Sequence, residues 1–100
     1  MNDFKGELYN MYPAIGIKGY WENQDGLYRI KEMDELWIKN TINMLKNKNG
    51  INLTSLEKWI KTDRDFFSST QCKNLEKAIE LIRTKIEDLE DHLNAGLYKK

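Results

Sequence analysis

Leu75, Ile79, Ile82, Ile86, Leu89 and Leu93 are separated by four, three, four, three and four residues. An apolar repeat averaging 3.5 residues belongs to a helix that packs along its whole length against other helices. No other stretch of the chain restricts the fold as strongly. Ser68 or Ser69 can start this helix and Gly96 lies just past its end, so it is predicted over 69–95. Roughly 26 residues at 1.5 Å each give about 39 Å. Arg83 and Glu87, four apart, and Lys85 and Asp88, three apart, can pair on its exposed flanks, each pair contributing roughly a few tenths of a kcal/mol.

Upstream, the stretch Asp25 to Leu45 reads as a turn, a short strand and an amphipathic helix. Asp25-Gly26 is a turn dipeptide. In the strand that follows, Tyr28 and Ile30 share one face, with Leu27 and Arg29 on the other. Asp34 can cap a helix over 34–49 whose apolar positions fall at Ile38, Ile42 and Leu45, with Asn49-Gly50 as its stop. Before the turn, Ala14 to Trp21 alternates with Ile15 and Ile17 on one face, which predicts a hairpin over 14–31. A hairpin of two strands is marginal in water, so its apolar face must lie on a helix. Residues 1–13 form a short docking arm, limited to about two helical turns by Gly6 and Tyr12-Pro13. A short helix over 54–62 is announced by Thr54 and Glu57, which fit a capping box, with Leu56, Trp59 and Ile60 on one side. The expectation is a single α+β domain over 1–100. It is mostly helical, with an N-terminal hairpin packed on two or three helices, the last long and heptad-patterned.

Sixteen basic and sixteen acidic residues balance, and each half of the chain balances separately. No overall charge points to nucleic acid as a direct partner. The single cysteine, Cys72, cannot form an intramolecular disulfide, and no leader, membrane-length apolar run or lipidation signal is visible, so a soluble cytoplasmic protein is expected. His92 is the only histidine, which leaves no Cys/His metal set and no serine triad. No catalytic residue, metal ligand or cofactor follows, and the chain reads as a non-enzyme.

Two arrangements can cover the heptad seam. One arrangement buries it inside the chain against the Ile38-Ile42-Leu45 stripe and the hairpin. The other pairs two long helices in a homodimer through Leu75, Ile79, Ile82, Ile86, Leu89 and Leu93, since a helix near 39 Å overhangs one of about 22 Å. Two surfaces are candidates for recognition. Glu87, Asp88, Glu90 and Asp91 place acids near a helix C-terminus, where they oppose the macrodipole unless a basic partner meets them. Tyr20, Trp21, Tyr28 and Arg29, with Asn40 and Asn43, have the inventory of a stacking and hydrogen-bonding pocket for a nucleotide. No glycine-rich phosphate loop lies beside them.

Gly26, Ile30, Met33, Ile38, Asn40, Ile42 and Leu45 together resemble a pattern in small uncharacterised phage and prophage accessory proteins. That pattern is a glycine turn, a short Ile-rich strand, a methionine, then a helix reading His-Leu-any-Asn-Ala-Ile. Trp37 stands at the histidine position, Ile38 at the leucine and Thr41 at the alanine, so no histidine-based role carries over. The resemblance implies a protein that binds and blocks a host defence protein without catalysis, as anti-CRISPR and other anti-defence inhibitors do. The alternative is a sponge that sequesters a cyclic nucleotide signal.

Overall fold

The structure is a computed structural model describing residues 4–48 and 51–100. It is a mostly helical α+β fold in which a two-stranded antiparallel hairpin packs on helices. In chain order the elements are α1 (Phe4–Met11), β1 (Tyr20–Asn23), β2 (Gly26–Arg29), α2 (Glu35–Asn47), α3 (Leu53–Thr62) and α4 (Ser69–Asn94).

Helix α1 turns its apolar spacing inward. Phe4 and Leu8 are buried, and the Phe4 ring lies 5.5 Å from Trp59 and 6.0 Å, edge-on, from Phe67. Pro13 ends the helix because it has no N–H to donate and disfavours a helical residue before it. The strand expected from Ala14 does not form there. Residues 14–19 instead make successive turns, with Ile15 N–H donating to the Tyr12 carbonyl and Ile17 N–H to that of Ala14, both at 3.0 Å. Gly19 takes a φ of +84°, which a strand cannot accommodate, and pairing begins one residue later. The same turns bury Ile15 and point Ile17 outward, so the two isoleucines do not share a face.

In the hairpin, Tyr20 pairs with Arg29 and Trp21 with Tyr28. Directly opposed residues share a face, and this one lies on the helices. The Trp21 ring is 4.9 Å from Tyr12, and Tyr28 meets Trp37 edge-on at 4.8 Å. Asp34 caps α2 by accepting from Trp37 N–H at 2.8 Å, and Ile38, Thr41, Ile42 and Leu45 are buried. The stop expected at Asn49-Gly50 lies outside the described residues. Helix α3 begins before Thr54, because Asn52, one of the strongest capping residues, accepts from Ser55 N–H at 2.9 Å. Thr54 donates instead to the Asn47 side chain, and Glu57 pairs with Arg83 of α4, which replaces the expected Arg83–Glu87 pair.

Ser68 and Gln71 form a complete capping box at the start of α4. Its C-terminus closes in a Schellman motif: Leu97 N–H donates to the His92 carbonyl and Gly96 N–H to that of Leu93, with Gly96 at φ +70°. Lys99 N–H then donates to the Met33 carbonyl at 2.8 Å, returning the chain end to the start of α2. Helix α4 touches α1, α2 and α3. Leu75, Ile79, Ile82, Ile86 and Leu89 are 0–7% exposed in the single chain, and Leu93 is partly buried against the same core. The seam is covered within one chain. The stripe proposed for pairing two long helices is therefore already occupied.

Candidate functional site

The largest departure from the sequence reading lies on α4 at Lys85 and Asp88. Their three-residue spacing suggested a pair on an exposed flank, but Lys85 is 1% exposed and Asp88 6%. The Lys85 Nζ donates to the Ile17 carbonyl at 2.7 Å, to the Tyr20 carbonyl at 2.6 Å and to Asp88 Oδ2 at 3.2 Å. Asp88 Oδ2 in turn accepts from Gly19 N–H at 2.7 Å. A buried ion pair thus fastens the loop before β1 to the middle of α4 through three backbone groups. Asp88 Oδ1 makes no hydrogen bond among the described residues and lies 3.4 Å from His92 Nδ1. That nitrogen is 2.8 Å from the Asp88 carbonyl. A carbonyl can only accept, so Nδ1 carries the proton in this contact.

Lysine burial has an electrostatic consequence. Desolvation pulls the Lys85 pKa below the ordinary 10.5, opposed by the charge and hydrogen bond of Asp88. A lowered lysine pKa can mark a reactive amine. Here the three donors of the ammonium are all committed to fixed acceptors, which leaves none to present to a substrate. Between the lowered folded value and 10.5 the unfolded chain binds a proton that the folded chain does not, so this group's contribution to stability rises with pH in that window. Below the window both states are protonated and the cost of burying the charge is fully present. A titration of Lys85 followed by NMR at Cε and Nζ is expected to have its midpoint below 10.5. Asp88→Asn, which removes the opposing charge, should move that midpoint lower still; an upward move would contradict the arrangement.

Above the clamp lies a cleft of about 490 Å³, walled by α1, the loop and α4. Tyr9, Ile15 and Leu81 give it an apolar lining, and Gly16 sits so close to Tyr9 that an added Cβ would come within 3.2 Å of the phenolic oxygen. Around these stand Lys5, Lys18, Lys77, Glu80, Glu87 and Asp91. Lys77 pairs with Glu80 at 3.7 Å. Glu87 and Asp91 are exposed and form no ion pair among the described residues. Ile17, 54% exposed, stands on the clamped loop between two residues, Gly16 and Lys18, that line the cleft.

Of the four acids singled out from sequence, Asp88 points into the fold, Glu90 pairs across to Lys46 of α2 at 3.7 Å, and Glu87 and Asp91 face solvent. Trp21 is buried, and its indole N–H has no hydrogen-bond partner among the described residues. Tyr28 is held by Trp37, and Arg29 lies 3.9 Å from Glu32 in an exposed pair. Asn40 and Asn43 are exposed on α2, where Asn43 accepts from Asn47 at 3.2 Å. Tyr20 contributes its carbonyl to the clamp. None of these six residues lines the cleft.

Sequence reasoning missed the clamp, although a signal for it exists. Ala78, Leu81, Lys85, Asp88 and His92 repeat at three, four, three and four residues, a second stripe beside the seam. A helix flanked on two sides needs a buried face wider than one heptad seam. Among the described residues no helix is long and apolar enough to cross a membrane. In comparisons with known proteins, no family model, no curated protein and no solved structure matched the chain.

Proposed function

We propose that this chain is a non-catalytic binding protein, an inhibitor or adaptor that engages a partner protein with the surface around the α1–α4 cleft. The observation that supports this reading is the cleft rim, where Glu87, Asp91, Lys5 and Lys18 are exposed and form no ion pair among the described residues, next to a clamped loop that carries the exposed Ile17. Interfaces draw their energy from a few apolar or aromatic anchors and their orientation from flanking charges. The commitment of every Lys85 donor favours binding over catalysis. The resemblance of the central stretch to small phage accessory proteins supports a host defence protein as the partner, in the manner of anti-CRISPR inhibitors, with action in the host cytoplasm.

Charge reversal tests the reading. Glu87→Lys with Asp91→Lys is expected to leave the melting temperature within a few degrees of the parent, because both side chains are solvated, while weakening partner capture by about tenfold or more. Full retention of the partner would remove this surface. A second reading, a sponge for a cyclic nucleotide, draws support from the cleft's volume, which lies within the range of small-ligand pockets, and from Tyr9, Lys5 and Lys18 around it. A panel of cyclic nucleotides that shifts no NMR resonance of these residues would dispose of it.

A further inference from the structure

We infer that the cleft between α1, the clamped loop and α4 is a binding site for a small zwitterion with a flat apolar body, of the chemical class of the aromatic amino acids. Glu87 and Asp91 receive its ammonium, Lys18 its carboxylate, and Tyr9, Ile15 and Leu81 its ring. Such a site goes beyond the protein-binding reading and stands whether or not a partner protein docks around the cleft.

The contacts between the loop and α4 fix the order of groups along the cleft. A Cβ on Gly16 would lie 3.7 Å from Leu81, the Ile17 carbonyl meets Lys85, and the Gly19 N–H meets Asp88. The loop therefore runs alongside α4 in the same direction, and Lys18 stands at the turn of Lys85 and Asp88. Glu87 and Asp91 line the cleft from that turn and the next. Beneath them Lys85 neutralises Asp88, which leaves two carboxylates and one ammonium facing the cleft at this end. Lys18 forms no ion pair with either acid among the described residues. An α-amino acid bridges such a gap, because it carries an ammonium with three donors and a carboxylate on one carbon. A phosphate ligand would meet two acids for one lysine. Lys5 lies toward the start of α4, since its neighbour Phe4 packs on Phe67, and is separated from this end by the ring site.

The ring site is apolar and kept open by a glycine. Ile15 is 1% exposed and Leu81 partly buried, while Tyr9, 37% exposed, offers part of its ring at the side. Aromatic rings favour offset or edge-on contact with one another. Gly16 is outside the positive-φ glycines of the chain, so its backbone does not call for glycine. Space does: a Cβ there would stand between Tyr9 and Leu81, both in the cleft lining. The volume of about 490 Å³ and the few convergent polar groups match the usual build of a small-molecule pocket.

The test titrates the isotope-labelled full chain with L-phenylalanine, L-tyrosine and L-tryptophan and follows the amide resonances of Gly16, Lys18 and Leu81 by NMR. At least one is expected to bind saturably with a Kd of about 1 mM or tighter. The amine and acid analogues of the tightest one, each missing one charged group, are expected to bind at least about tenfold more weakly. Glu87→Gln with Asp91→Asn should weaken the amino acid and the amine about tenfold or more and leave the acid analogue no weaker. Gly16→Ala should weaken all three amino acids while the fold is kept. Absence of saturable shifts with all three at about 10 mM overturns the site, as does equal affinity for the analogues. Cyclic AMP that binds more tightly than every amino acid overturns the ligand class and favours the nucleotide reading. None of these outcomes bears on capture of a partner protein, so the two readings fail separately.

Discussion

Lys85→Met is expected to destabilise the fold by about 3–5 kcal/mol, the cost of leaving one partner of a buried ion pair behind. The methionine fills most of the volume, so little of the loss comes from packing. It leaves the Asp88 carboxylate buried with, among the described residues, only the Gly19 N–H as a hydrogen-bond donor, and it strips the Ile17 and Tyr20 carbonyls of the Nζ contact. In a domain whose net stability lies in the ordinary range of about 5–15 kcal/mol, this is a large fraction. Adding Asp88→Leu should recover part of the loss, because the buried charge is then gone, although the loop's backbone groups must still find water. Urea denaturation of the parent, both single variants and the double variant yields the coupling between the two sites. A loss below about 1 kcal/mol for Lys85→Met is what a solvated surface pair would produce, and would contradict the buried clamp.

Ile82→Ala is expected to cost about 2–5 kcal/mol, with a denaturation midpoint that does not depend on protein concentration. Ile82 lies in the middle of the seam and is wholly buried within one chain, so its truncation opens a cavity where α4 meets the rest of the core. Were the seam instead the interface between two copies, the midpoint would rise with protein concentration and the variant would dissociate before it unfolded. Denaturation at two concentrations about a hundredfold apart separates the cases, since linkage to dimerisation shifts stability by about 2.7 kcal/mol over that range.

The parts of this fold that were legible in the sequence are those set by short-range chemistry. The Asp34 cap, the Ser68 start, Gly96 past the end of α4 and the seam itself all depend on residues within one or two helical turns of each other. At two places one local signal competes with another. Thr54 and Glu57 have the spacing of a capping box, but Asn52 caps two residues earlier and Glu57 is drawn away to Arg83. Alternation at Ile15 and Ile17 suggested a strand, whereas Pro13, Gly16 and Gly19 turn the chain instead. The clamp was hidden for a different reason. Three-residue spacing places Lys85 and Asp88 side by side on a helix, but only the docking of a loop 65 or more residues away turns that flank into an interior. The surface that this creates combines α1, the loop and α4, so no contiguous motif spells it out.

The most direct test of this account is to look for the buried ammonium itself by NMR. Exposed lysine ammonium protons exchange with water too fast to persist near neutral pH, whereas three fixed acceptors should protect those of Lys85. The expected result is one slowly exchanging Nζ resonance with cross-peaks to the Gly19 and Tyr20 amides, present in the parent and absent in Lys85→Met. If no lysine ammonium is protected in the folded chain, the clamp does not exist as described, and the fixed loop that carries Ile17 loses its foundation.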